Sequence, residues 1–312
     1  MKFPFSLKSD SKFDVVGFGT NAVDHLIRLN DFPQPDSKCE IAELTVAPGG
    51  EIASAMVGLQ RLGWKTAYAG RFGSDLSGRL GLASLAQEGV DLEFAETIEE
   101  ASTQSGFMII DSLTGERTAL WHRDPKLAFR VSDTPLKAAS IGKVVHMTAH
   151  DTAACVRMAA AARKSGVVVS LDIDRLFDGV DELLSLVDIL TVAPFFADAV
   201  TGLDSKDALI DLRGRFGSAI VVMTLGRDGS IALCCDTFVE TPGFEIPGGC
   251  VDTTGAGDAF RAGLLHGLLS DRPVEECLMM ANAVAALKCR GHGARSSLPY
   301  PHELNGLLAA VK

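Results

Sequence analysis

A chain of 312 residues, 47% of them hydrophobic, is long and apolar enough for a large buried core, which excludes a disordered or fibrous protein. Its formal net charge of −11, with no long Lys/Arg run, argues against a nucleic-acid-binding surface. The seven cysteines form no C-x-x-C pair and no zinc spacing, as expected of reduced thiols in a cytoplasmic protein. No apolar run approaches membrane-spanning length, and the first fourteen residues are too interrupted for a signal peptide.

In chain order, FDVVGFG (13–19) reads as a buried strand. The stretch that follows Asp24 carries Pro33 and Pro35 and no helical period. A helical pattern at 52–62, a strand at 65–73 and a helix at 78–87 come next. Residues 103–123 look like two strands joined by a Ser-Leu-Thr-Gly turn. Beyond them, strands at 142–149, 167–174, 187–193 and 219–226 alternate with helices at 152–164 and 205–216. Strand and helix in series imply an α/β fold with a mostly parallel sheet covered on both faces. The two interrupting regions, roughly 24–48 and 103–123, are expected to form a small flanking sheet of antiparallel strands. No internal repeat or linker divides the chain, so 13–312 reads as one domain.

The most informative segment is VDTTGAGDAFRAGLLHGLL, residues 251–269. From Ala256 onward its apolar residues lie on one helix face, which places Gly255, Ala256 and Gly257 at a helix N-terminus. There the first N–H groups lack helical partners and the dipole is positive, a combination that binds anions. A carboxylate at Asp258 would repel a resident anion. It makes sense if the anion is a phosphoryl group in transit and the carboxylate orients the attacking hydroxyl. A Gly-rich turn with a helix-stabilising Asp is the plain structural alternative. As a base, Asp258 is expected to be ionised, with a pKa near ~3.9.

DTTGAGDAF resembles the C-terminal signature of the PfkB/ribokinase family of sugar and nucleoside kinases, and the resemblance runs from about Phe13 to the end. VVGFGTNAVDHL is similar to the family's first strand and sugar-binding segment, which implies sugar contacts from Asn21 and Asp24. APGGEIASA resembles its Gly-Gly motif at Gly49 and Gly50. GRFGSDLSG matches through Gly70, Gly73, Asp75 and Gly78, and TLGRDGS through Thr224, Gly226 and Gly229. The resemblance implies a ribokinase-like fold in which the flanking sheet is a lid over the sugar. It implies Asp258 as catalytic base and Gly255–Gly257 as anion hole. Ser54 and Arg123 join the sugar side, and Asn282 borders the nucleotide with the Thr224–Gly229 turn. ATP and Mg2+ are the implied cofactors. The likeness would also put a K+ ion by Asp252 and Thr254.

The chain departs from the family in two places. Ala193 and Phe196 stand where many members carry the N-x-x-E residues that organise magnesium-bound water, and Ser54 replaces a common Asn. Together with VAALKCRGHGAR, these departures resemble the ketohexokinase and sulfofructose-kinase side of the family. For the missing magnesium contact, SLDID offers Asp172, acting through water, at a strand's C-terminal end. GFGTNA (17–22) matches a dinucleotide fingerprint but lacks the helix that fingerprint needs. His146 and His150 share no helical face for zinc.

The expected function is ATP-dependent phosphorylation of a hydroxyl, preferably primary, on a monosaccharide or sugar derivative. A nucleoside kinase using the same machinery is the alternative. A non-catalytic sugar sensor would require loss of the base or anion hole, and both are intact. Exposed strand edges of the lid suggest a homodimer.

Overall fold

The computed structural model describes residues 1–310, so the last two positions of the expected 13–312 domain lie outside the described residues. β1 (Phe13–Phe18) passes directly into β2 (Ala22–Leu29), then β3 (Glu43–Gly49) and α1 (Glu51–Arg61). β4 (Thr66–Gly73), α2 (Leu76–Gln87) and β5 (Asp91–Ile98) precede the pair β6 (Ser105–Asp111) and β7 (Arg117–His122). β8 (Gly142–Thr148), α3 (Thr152–Lys164), β9 (Val168–Ile173), α4 (Val180–Leu184) and β10 (Ile189–Val192) follow. After α5 (Pro194–Thr201), α6 (Ser205–Phe216) and β11 (Ile220–Thr224) comes a hairpin, β12 (Ser230–Cys234) and β13 (Thr237–Thr241). The chain finishes with α7 (Ala256–Leu269), α8 (Val274–Lys288) and α9 (Pro301–Ala310).

Among the described residues nine strands form one sheet, in the order β13-β12-β11-β10-β9-β8-β1-β4-β5. From β11 to β5 every pairing is parallel, and only β12 and β13 run antiparallel. Strands buried on both faces explain the near-continuous apolar runs of β8 to β11. One core lies between the sheet and α3, α4, α5 and α6; the other lies under α1, α7 and α8. Every expected strand and helix of the main body is present. β5 and β13 were not anticipated, because they are partly buried strands at the two edges of the sheet and carry weak patterns, whereas β12, also not anticipated, lies between β13 and β11 and is buried throughout.

The lid is a second sheet, ordered β3-β2-β6-β7, drawn from the two regions that break the α/β rhythm. One detail differs from expectation. β2 and β6 pair in parallel, while only the outer pairs are antiparallel. β1 and β5 run in the same direction in the main sheet, and each feeds its lid strand from the same end. The two inner lid strands therefore cannot oppose one another.

α7 lies against α8 at unusually close range because of two glycines on one face. A Cβ at Gly263 would sit 2.7 Å from Ala281 Cα, and one at Gly267 would sit 2.7 Å from Cys277 Cα. Those neighbours are backbone atoms and cannot rotate away. Gly267→Ala gains helix propensity but must push the helices apart, so we expect a net loss of roughly 1–3 kcal/mol. A lowered midpoint in denaturant unfolding is the check; an unchanged or raised midpoint contradicts the close-packing account.

Candidate active site

The strand C-terminal ends and the inner face of the lid enclose a polar cavity of about 510 Å³. A second cavity of about 660 Å³ lies beside it, lined by the β11–β12 turn, Gly243, Phe244, Phe260 and α8 residues. Thr224 and Gly257 line both. The N-terminus of α7 thus stands at the boundary between a charged chamber and a more apolar one.

Gly255 caps α7 in the left-handed conformation (φ 77°), and a side chain there would run into Ala294 Cα at 2.7 Å. The N–H of Ala256 donates to Thr253 O, which removes it from the expected set of anion donors. The N–H groups of Gly255, Gly257 and Asp258 have no acceptor among the described residues. The unpartnered donors at the helix head are therefore those of Gly255, Gly257 and Asp258, and Gly257 lines both cavities.

Asp258 lies on the wall of the polar chamber. Burial pushes its carboxyl up to about 8, Glu51 adds to the rise, and Arg261 opposes it. The expectation of a fully ionised Asp near its ordinary value is thus corrected. The desolvation of Asp258 and the neighbouring carboxylate of Glu51 outweigh the helix terminus. Arg261, one turn further along α7, forms a buried ion pair with Asp172 at the end of β9. Asp172 does line the chamber, but its carboxylate is engaged by that guanidinium, so it is not the free water-mediated metal contact expected from SLDID. Its neighbour Asp174 is exposed and lines the same chamber.

On the opposite wall, Asp24 is buried (3% exposed) in the middle of the lid's inner face. Its register partners are Ala47 on β3 and Gly106 on β6, and Gly106 in turn faces Trp121 on β7. A Cβ on Gly49 would come within 1.9 Å of one Asp24 carboxylate oxygen, and one on Gly106 within 2.3 Å of the other. The glycines make the seat for this carboxylate. Burial raises Asp24 to about 6, against the pull of Arg295 and Arg117. Gly50 (φ 90°) caps α1 and lines the chamber, and Glu51 behind it accepts a hydrogen bond from Thr20 Oγ1 at 2.9 Å.

The other expected sugar contacts serve as scaffolding. Asn21 Nδ2 donates to Tyr68 Oη at 2.9 Å and to Arg71 O at 2.7 Å. Arg123 makes a two-pronged pair with Asp151, both distances 2.7 Å, outside the chamber lining. Ser54 Oγ accepts from Arg295 Nε at 3.2 Å, and Arg295 also reaches Gly49 O. These residues hold the walls of the chamber and do not face its contents. Sequence reasoning missed Glu51, Arg117, Arg175, Arg261 and Arg295. Glu51 directly follows the Gly-Gly pair, and Arg261 lies three residues beyond Asp258 on the same helix, so local spacing could have flagged both.

On the other side, Thr224, Gly226, Gly229 and Asn282 all line the larger cavity. Asn282 Nδ2 donates to Ser230 Oγ and Thr241 O, both at 3.1 Å, which fastens α8 to the hairpin. Asp252 is wholly buried; its carboxylate accepts from Thr254 N and Gly293 N, both at 2.7 Å. Its carbonyl accepts from Lys288 Nζ at 2.8 Å, so an ammonium stands where a K+ ion was expected. Thr254 Oγ1 is buried without a partner among the described residues, and Thr254 borders the polar chamber.

A helix N-terminus with unpartnered amides, a carboxylate beside it and a cavity on either side define a phosphoryl-transfer enzyme of the two-substrate kind. The pfkB family carbohydrate kinase pattern matches residues 13–301, and the chain belongs to that family. It is an ATP-dependent carbohydrate kinase. A nucleoside kinase of Methanothermobacter thermautotrophicus is 27% identical over 293 residues, covering 92% of this chain and 92% of that protein. The ribokinase of Haemophilus influenzae is 30% identical, covering 91% of this chain and 95% of its own length. The fold is shared with Arabidopsis thaliana ribokinase solved with ribose and ATP, at a TM-score of 0.82 and 24% identity, covering 95% and 98% of the two chains.

Because Gly49 makes room for Asp24, Gly49→Ala is expected to displace that carboxylate while leaving the fold intact. A loss of roughly 1.5–3 kcal/mol in sugar binding follows, with ATP affinity spared. Titration of the variant with each ligand, alongside circular dichroism, checks it; unchanged sugar affinity counts against the seat.

Proposed function

We propose that the protein transfers the γ-phosphoryl group of ATP to a hydroxyl, preferably primary, of a monosaccharide or sugar derivative, with Asp258 as base. One observation carries this reading: the two cavities, one charged and one more apolar, meet at Gly257 and Thr224 on the head of α7. The larger cavity takes the nucleotide. The polar chamber takes the sugar, with Asp24 accepting hydrogen bonds from hydroxyls that do not react. The transferring group passes the α7 terminus, where the amides of Gly255 and Gly257 receive its developing charge.

Asp258 accepts the proton of the attacking hydroxyl. A carboxyl raised to about 8 is a stronger base than an ordinary aspartate, at the cost of being ionised less often at neutral pH. Only the ionised form works. The ionised fraction falls as pH drops through 8, so kcat/KM should climb by roughly tenfold per unit below about 8 and level off above it. Asp258→Asn should lower kcat by roughly 10²–10⁴-fold with substrate affinity nearly kept. Steady-state kinetics across pH, on the substrate found with a panel of sugars and nucleosides, measures both. A wild-type kcat in Asp258→Asn would refute the mechanism, and turnover of nucleosides alone would select the alternative substrate class.

Among the described residues no group of three His, Cys, Asp or Glu side chains could hold a metal. The donor set fits a magnesium ion carried in on the triphosphate, not one caged by protein. Ala193 lines the chamber without a ligand atom, Phe196 is buried in the core, and Asp172 is paired. Asp174 and Glu51 are the carboxylates suited to hold the ion's water shell. When bound, magnesium neutralises phosphate charge.

No helix among the described residues is long and apolar enough to cross a membrane. The lid's outer face carries Val46 (49% exposed), Phe107 (39%) and Leu120 (55%) in one row across the strands, with His25 stacked on Phe107. We propose that a second copy of the chain covers this row. Sedimentation velocity should find a dimer that Phe107→Glu converts to monomer; a monomeric wild-type protein at micromolar concentration would contradict it.

A further inference from the structure

Lys288, the last residue of α8, is wholly buried (0% exposed). Its ammonium donates to two backbone carbonyls from separate loops, Asp252 O at 2.8 Å and Gly291 O at 3.4 Å. Both its partners among the described residues are carbonyls and none is a carboxylate, which is unusual for a buried lysine. Carbonyl oxygens gathered around a dehydrated positive charge are how proteins hold a bare monovalent cation. Asp252 is also the residue that shapes the anion site: its two carboxylate contacts fix Thr254 on one side and Gly293 on the other. Gly293 leads to Ala294, which packs under Gly255. The ammonium thus ties α8 to both loops that support the head of α7.

We infer that Lys288 is a built-in monovalent cation: its ammonium takes the carbonyl site beside the anion hole, positions the loop from Asp252 to Gly257, and leaves this kinase independent of K+. A K+ ion does not fit beside Asp252 as the resemblance implied, because its carbonyl already holds a tethered charge. Burial lowers the ammonium's pKa while the Asp252 carboxylate raises it, so the charge has a local counterweight. Lys288 is a positioning residue, and the inference rests on the α7 terminus being the phosphoryl site.

The test replaces the salt and then the lysine. Wild-type protein is assayed and melted in KCl, NaCl or tetramethylammonium chloride at one ionic strength. Both kcat and melting temperature should be the same in all three salts. Activation by K+ of roughly tenfold or more, or a melting temperature raised by K+ alone, overturns the inference without any variant. Lys288→Ala opens the carbonyl site. It should lose kcat by roughly 10²-fold through misplacement of the loop, with a smaller change in sugar KM. K+ should then raise its melting temperature and restore part of kcat, where tetramethylammonium does neither. A variant that keeps wild-type kcat in tetramethylammonium, or that K+ leaves unaltered in both readouts, refutes the role. If no sugar is turned over by either protein, a K+-dependent melting shift confined to the variant still supports the tethered cation, and the kinase reading alone fails.

Discussion

At the head of α7 no acceptor among the described residues takes the amide protons of Gly255, Gly257 and Asp258, and the proposed phosphoryl transfer depends on that. Left unpaired inside a protein, such donors are unfavourable, so the rest of the site works to hold them in place. Gly255 turns the chain in a conformation that other residues resist and packs on Ala294 too closely for a side chain. Asp252 fixes the approach to that turn through its carboxylate, and Lys288 fixes it from the other side. Arg261 then ties the helix to the end of β9 through Asp172. Helix α8, which carries Lys288, can lie this close to α7 because Gly263 and Gly267 have no side chains. The close packing of two helices thus helps hold the head of α7 in place.

The same arrangement sets the electrostatics. Asp258, Glu51 and Asp172 line one chamber with Arg261, and desolvation is the largest cause of the upward shift of each carboxyl. Removing water makes every charge there dearer to form, and the guanidinium offsets only part of it. Such a carboxyl would suit the base proposed for Asp258, since a carboxylate with its ordinary acidity would hold an alcohol's proton weakly. The lid supplies the opposite wall with Asp24, whose carboxylate is seated by two glycines from different strands, Gly49 and Gly106.

How much of this was legible in the sequence depended on how local each signal is. The α/β alternation, the two lid regions and the α7 terminus were all readable. Each is written in a short run: apolar blocks of strand length, paired prolines, and three small residues ahead of an amphipathic helix. The turns at Thr224–Gly229 and Gly49–Gly50, which border the two cavities, were readable for the same reason. The sequence did not reveal that Asn21, Ser54 and Arg123 brace the walls. Their partners, Tyr68, Arg295 and Asp151, lie 28 or more positions away.

What the sequence by itself determined is the set of elements and the chemistry available at their ends, because backbone propensity and hydrophobic period act over a few residues. What only the tertiary structure decided is which charges meet. Residue pairs far apart in the chain, Asp172 with Arg261 and Asp252 with Lys288, are brought together by strand order and helix packing. Proximity then settles whether a carboxylate is free for a ligand or already paired. It raised Asp258 far above an isolated aspartate and placed an ammonium where a metal ion was expected. Coulomb interaction and desolvation follow distance in space, and distance along the chain does not report it.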